Sequence, residues 1–179
     1  MAVATTVEEL AEVEMAMRQA AQALGAAFAA VSVPVTPQVA RSVAAQENLY
    51  ERIAAEFGLY TAGEAGTLMG SRSKTPRNKA NAERAAGRLV AITRLNHALY
   101  PGFQFSDDGR PLAVIATLRQ LARSVTPSWT ESSVVEWLMS PTTYLMDSDG
   151  KTALRPVDLL RTDPDRVVDV AEQAWTVQW

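Results

Sequence analysis

Leu59-Tyr-Thr-Ala-Gly-Glu-Ala-Gly-Thr-Leu-Met-Gly-Ser71, followed closely by Thr75-Pro-Arg-Asn-Lys-Ala-Asn-Ala-Glu-Arg-Ala-Ala86, is the stretch whose reading decides the fold. In the first piece Thr61 stands three residues before Glu64. That is the spacing of a capping box, and it predicts a short helix over 60–69. Gly70-Ser71 supplies the turn. In the second piece Pro76 occupies the first position of a helix that runs to Ala86 and stops before Gly87. Arg88-Leu-Val-Ala-Ile-Thr-Arg94 has strand composition, Leu95-Asn-His-Ala98 reads as a turn, and Leu99-Tyr-Pro-Gly-Phe-Gln-Phe105 completes a hairpin. Helix, turn, helix and hairpin in that order predict a winged helix-turn-helix.

Charge agrees with that order. Between Gly70 and His97 lie seven bases and one acid, Glu83, a net of +6 in 28 residues, whereas the whole chain carries −3. So basic a segment in an acidic chain is an electrostatic footprint whose natural partner is phosphate. The second helix fits a major groove and carries Arg77, Asn78, Lys79, Asn81 and Arg84. Asparagine can bond adenine at two atoms and arginine can do the same to guanine. Arg72 and Lys74, just before the helix, neutralise phosphate. Arg94, Asn96 and His97, at the hairpin turn, lie against the backbone or the minor groove. The competing reading is a solvated basic face of a small domain. The pattern Glu64-Ala65, Leu68, Gly70 and Arg88-Leu89 also resembles the excisionase-like and MerR-like winged-helix DNA-binding families, whose recognition helices usually carry an aromatic that is absent here.

Upstream, residues 5–31 read as one long helix. Thr5 or Thr6 caps it, and glutamates crowd its first turns, where the helix dipole favours them. Val7, Leu10, Met17, Leu24, Phe28 and Val31 recur at helical spacing on an alanine-rich background. Such a helix packs either inside its own chain or against a second copy, and the pattern leaves both open. Val33-Pro-Val-Thr-Pro37 breaks it. A second helix, 37–57, has an apolar face of Val39, Val43, Ala44, Leu49, Ile53, Ala54 and Phe57, and Gly58 stops it.

Downstream, Ser106-Asp-Asp-Gly-Arg-Pro111 is a turn whose two aspartates serve turn chemistry. Pro111–Val125 is a helix with Leu112, Ile115, Leu118, Leu121 and Ala122 facing inward, ended by Thr126-Pro127. Trp129–Met139 is a short helix capped by Thr130, with Ser133 three residues on. Asp147-Ser-Asp-Gly150 is a turn without the later acidic ligands of a calcium loop. Pro156–Arg161 and Pro164–Trp175 are two closing helices. The expected architecture is mainly α: a helical bundle with a winged helix-turn-helix carrying a small β-hairpin, and a small helical C-terminal domain. The expected parts are 1–58, 59–106, 107–127 and 128–179.

Composition excludes several classes. The chain has 179 residues, no cysteine and one histidine, which leaves no disulfide framework, no thiolate metal site and no histidine-rich one. The most apolar run, Ala20–Val35, is short for a bilayer span and contains Gln22 and Pro34. Glu8, Glu9, Glu12 and Glu14 precede it with Arg18 as the one base, the wrong sign for a signal peptide, so a cytoplasmic location is expected. There is no glycine-rich phosphate loop after a strand and no histidine–carboxylate pair in one segment. No enzyme, metal or cofactor is expected.

Farther along, Glu136-Trp-Leu-Met-Ser-Pro141, Leu145, Arg155-Pro-Val-Asp-Leu-Leu160, Asp165-Arg-Val-Val168 and Ala171 resemble the toxin-binding domain of the Xre/MbcA/ParS antitoxins. The run Met146–Arg155 is longer than the compact turn of that family. The resemblance implies a type II antitoxin that occludes the active site of a RES-domain, NAD-degrading toxin with its C-terminal segment and represses its own operon by binding operator DNA. Trp137, Pro141, Leu145, Pro156, Leu159 and Leu160 match the family pattern. The tail Ala174-Trp-Thr-Val-Gln-Trp179 adds Trp175 and Trp179 as candidate toxin contacts, because tryptophan is enriched among interface anchors. The alternative is a winged-helix transcriptional regulator without a toxin, whose C-terminal part dimerises or binds another protein. A two-fold operator would call for a homodimer.

Overall fold

A computed structural model of the chain describes residues 37–125 and 129–176. The expected 5–31 helix, the break after it, Thr126-Pro127 and Trp179 lie outside the described residues. The chain divides into two compact units, 1–43 and 44–179. Of the first, only the opening turns of helix α1 are described. No helix among the described residues is long and apolar enough to cross a membrane.

Helix α1 is Pro37–Phe57. Its proline start and its stop at Gly58, whose φ is +80, match the expectation. Its burial does not follow the whole apolar stripe. Tyr50 and Ile53 are buried, whereas Val39 and Val43 are exposed. Helical periodicity reports a face; it does not report how much of that face is covered.

The order after α1 is strand β1 (Leu59–Thr61), helix α2 (Ala62–Leu68), helix α3 (Arg77–Ala85), strands β2 (Ile92–Arg94) and β3 (His97–Pro101), and a 3-10 turn over Gly102–Gln104. The expected hairpin is in fact a three-stranded antiparallel sheet in the order β1-β3-β2. The predicted helix over 60–69 starts later, at Ala62, and Leu59-Tyr60 pairs instead with Pro101 and Tyr100. The wing turn is tighter than expected. Arg94 pairs with His97 around the two residues Leu95 and Asn96, whose φ values of 48 and 64 define a primed turn matched to strand twist.

Helices α2 and α3 close in the same way. At α2, Gly70 N–H donates to Thr67 O and Ser71 N–H to Gly66 O; at α3, Gly87 N–H donates to Arg84 O and Arg88 N–H to Glu83 O. Both are Schellman ends, with a left-handed glycine satisfying carbonyls the helix leaves free. The tight packing of the helix-turn-helix rests on Gly66, where a Cβ would lie 2.0 Å from the Pro76 carbonyl oxygen. Pro76 sits one place earlier than expected, as the residue before the first turn of α3.

The second half holds helices α4 (Ala113–Val125) and α5 (Glu131–Met139), strands β4 (Thr142–Met146) and β5 (Ala153–Leu154), a 3-10 turn over Pro156–Leu159, and helix α6 (Pro164–Thr176). A hairpin of β4 and β5 therefore stands where an all-helical C-terminal part was expected. The long run Met146–Arg155 is what builds it, turning at Gly150, whose φ is +67.

Residues 129–176 are no separate domain; they share a core with the winged helix. Leu89-Val-Ala-Ile92 shows how. All four are buried, and strand-like alternation sends Leu89 and Ala91 into a small cluster with Ala65, Met69, Ala80, Tyr100 and Phe105. Val90 and Ile92 point the other way, into a large cluster with Ile115, Leu118, Val135, Leu138, Leu160, Val167 and Trp175. Fully buried Gln104 completes the ladder: its Oε1 accepts from Val90 N–H at 2.8 Å and its Nε2 donates to Val90 O at 3.0 Å. The expected parts 59–106, 107–127 and 128–179 thus lie in one compact unit, 44–179.

Candidate nucleic-acid interface

Helix α2 starts at a complete capping box. Thr61 N–H donates to Glu64 Oε2 at 2.7 Å and Glu64 N–H donates to Thr61 Oγ1 at 3.3 Å. The first of these bonds holds the Glu64 carboxyl below its ordinary range. Helix α3 follows a short hydroxyl-rich turn. Thr75 N–H donates to Ser73 Oγ at 3.1 Å, and Asn78 Nδ2 donates to Thr75 Oγ1 at 3.2 Å. Ala80 is the inward residue of α3, which leaves Arg77, Asn78, Asn81, Ala82 and Ala85 on the outer face.

The start of α2, the start of α3 and the wing turn meet at one cleft of about 500 Å³. Lys74, Thr75, Pro76 and Arg77 form one wall and Asn96, His97 and Ala98 another, with Thr61, Ala62 and Gly63 between them. Among the described residues no carboxylate lines it. Lys74, Arg77, Asn96 and His97 are all exposed. Four candidates that are as much as 23 residues apart in the chain are therefore neighbours. Arg72 is exposed on the adjoining turn, and Arg72, Lys74 and Arg77 have no acidic partner among the described residues.

The other bases of the segment have internal tasks. Lys79 Nζ donates to Met69 O at the end of α2 and ties the two helices together. Arg88 pairs with Glu83, a bond that lowers the Glu83 pKa. Arg94 binds Glu47 of α1 at 2.6 Å and lies over the Tyr50 ring. Arg84, expected at DNA, points inward: its Nε donates to Glu131 Oε2 at 2.8 Å. Glu131 also accepts from Ala91 N–H at 2.8 Å and from Arg119 at 2.7 Å. Arg119 in turn donates to Arg84 O at 2.8 Å and Leu89 O at 2.6 Å. Burial lowers the Arg119 pKa, and the Glu131 carboxylate opposes that fall. This network holds the last turn of α3 against α4 and α5.

Leu95 is the residue that sequence reasoning passed over. It is 86% exposed at the wing tip, between Arg94 and Asn96. The signal was available in the sequence, where Leu95 is the one large apolar residue of the turn Leu95-Asn-His-Ala98.

The candidate toxin contacts are mostly core. Leu145, Pro156, Leu160 and Trp175 are buried, and Trp137 and Leu159 are half-buried against the large cluster. Trp175 packs on Trp129 and Trp137 with ring centroids 4.5 and 5.0 Å away. Pro141 is exposed, and Tyr144 beside it on β4 is 46% exposed.

No protein-family model matches the chain, and no curated protein matches it. Among solved structures, it is similar to the NMR structure of Rv2175c, with a TM-score of 0.55, 23% identity, and coverage of 67% of this chain and 82% of that one. A likeness at this identity bears on the fold, and the fold it supports is a mainly helical chain with a small antiparallel sheet.

Proposed function

We propose that the chain binds duplex DNA through its winged helix, with α3 in the major groove and the β2–β3 wing on the flanking backbone or minor groove. The observation that carries this is the cleft between the start of α3 and the wing tip: it gathers Lys74, Arg77, Asn96 and His97 and, among the described residues, contains no acid. Exposed bases without internal partners are what a phosphate backbone neutralises. An outward helix face with two asparagines, an arginine and small alanines can approach base edges closely. Regulation of transcription, by repression of an operon, follows as the role of such a protein.

Competition binding tests the reading. Arg77→Ala is expected to relax sequence preference, at roughly 1–3 kcal/mol for a lost bidentate base contact. Lys74→Ala is expected to weaken binding to all sequences alike. Equal losses for both variants on selected and random DNA would mean that α3 is not the reading helix.

Neutralisation of a RES-type toxin is the second reading. Its support is the C-terminal sequence pattern together with two exposed residues, Pro141 just before the β4–β5 hairpin and Tyr144 on β4. The buried members of the pattern hold the core. Because 129–176 share that core with the winged helix, the test uses the full chain: co-expression with the product of the adjacent gene, pull-down, and an assay of NAD loss. A complex that suppresses NAD loss, and that Tyr144→Ala weakens, supports an antitoxin. No complex leaves the DNA-binding reading alone.

A further inference from the structure

Taking α3 as the helix that enters the groove, we infer that Asn81 is its base-reading side chain, that an A·T pair is what it reads, and that Tyr100 of β3 is the positioning residue that makes it selective.

Of the two asparagines on the outer face of α3, Asn78 has its amide turned back to Thr75 Oγ1 at 3.2 Å. Asn81 lies one turn beyond Arg77, and its Oδ1 accepts from the Tyr100 hydroxyl at 3.2 Å. Tyr100 is fully buried, and β3 is paired on both sides at this position or beside it. The ring therefore cannot follow the amide, and the amide is held to the ring. Burial raises the pKa of the hydroxyl, so it keeps the proton it donates. Arg84 is fixed by Glu131 through Nε at 2.8 Å, and the hydrogen bond from the Tyr100 hydroxyl to Asn81 Oδ1 carries the positioning.

A hydroxyl bond to Oδ1 uses one lone pair. The second lone pair and both Nδ2 protons remain free, and their order in space is set. One acceptor beside one donor is the complement of the adenine major-groove edge, where N6 donates and N7 accepts. A guanine edge presents two acceptors, O6 and N7, and so sets an acceptor against the fixed Oδ1. A freely rotating asparagine discriminates less, because it can turn its donor toward either. Ala82 and Ala85, exposed on the same face, add no competing polar group and suit the thymine methyl across the pair.

The experiment is selection from random duplex DNA with the full chain, comparing wild type, Tyr100→Phe and Asn81→Ala, followed by titration of the selected site and of a version with that pair changed to G·C. Thermal melts report folding, and Asn81→Ala, at an exposed position, covers the case in which Tyr100→Phe is unstable. Wild type is expected to select an invariant A·T pair. In both variants, discrimination at that pair is expected to fall on the order of tenfold, a larger loss than any in affinity for unrelated DNA. A purely structural role for Tyr100 would lower both affinities together. Unchanged discrimination in Asn81→Ala, or in a folded Tyr100→Phe, overturns the inference while leaving duplex binding intact. Absence of any duplex binding by wild type overturns the underlying reading as well.

Discussion

Leu95 combines two costs in one residue: a large apolar side chain that is 86% exposed and a left-handed backbone with φ of 48. The left-handed region costs an L-residue with a Cβ roughly 1–2 kcal/mol, and strain of this kind gathers at functional sites. Leu95→Asn suits the turn better, so it is expected to stabilise the fold by about 1 kcal/mol. It is also expected to weaken duplex binding several-fold, because apolar tips of this kind enter minor grooves. Thermal melts and DNA titration check the two halves, and a stabilised variant with undiminished binding removes Leu95 from the interface. At this scale the residue types were legible and their assignments only partly so. The basic segment was evident, yet four of its seven bases are engaged inside the protein. The partners of Arg84 and Arg94 stand 47 residues away in the chain, where no local pattern reaches them.

Elements with local causes were read almost to the residue. Both capping boxes, at Thr61 and Thr130, form as expected, because donor and acceptor lie three residues apart. The strands that were missed are β1, β4 and β5, of three, five and two residues. Strands of two or three residues cannot display an alternation, and in the five-residue β4, Thr142-Thr-Tyr-Leu-Met146, two adjacent threonines mask it; the pairing of each is decided by a partner elsewhere. Gly66→Ala forces a methyl toward the Pro76 carbonyl oxygen, 2.0 Å from the ideal Cβ position. Overpacking of this kind costs typically ~1–3 kcal/mol, to be read as a lowered denaturant midpoint with an unchanged m-value. A melt at its wild-type midpoint would refute the close packing. Glu64 has a depressed pKa, so its capping contribution is present above the ordinary glutamate range and is lost as pH falls through the depressed value. Glu64→Gln is expected to lower stability at neutral pH and to flatten its dependence on pH in that acidic window. Parallel Tm–pH curves for the two proteins would contradict this.

As a molecule, the chain after residue 43 is one compact unit, and this was the least legible level. A helix-turn-helix and a C-terminal helical pattern looked like separate modules because each has its own sequence signature. Their joint, Leu89–Ile92, is a run of four apolar residues whose two faces serve two clusters, and a continuous apolar run carries no label of that kind. Glu131 is the polar counterpart of that joint. Glu131→Ala leaves the guanidinium of buried Arg119 without its carboxylate, and breaking a buried pair in this way costs ~3–5 kcal/mol. The variant is expected to melt well below wild type and, where still folded, to bind duplex DNA more weakly, since α3 loses its brace. A wild-type melt would show that the network is dispensable. The most direct test of the central claim is the salt dependence of duplex binding by wild type and Lys74→Ala. If the cleft faces DNA, affinity falls linearly on a log–log plot against salt, and the substitution reduces the slope by about 1. Binding that ignores salt, or an unchanged slope in the variant, would contradict it.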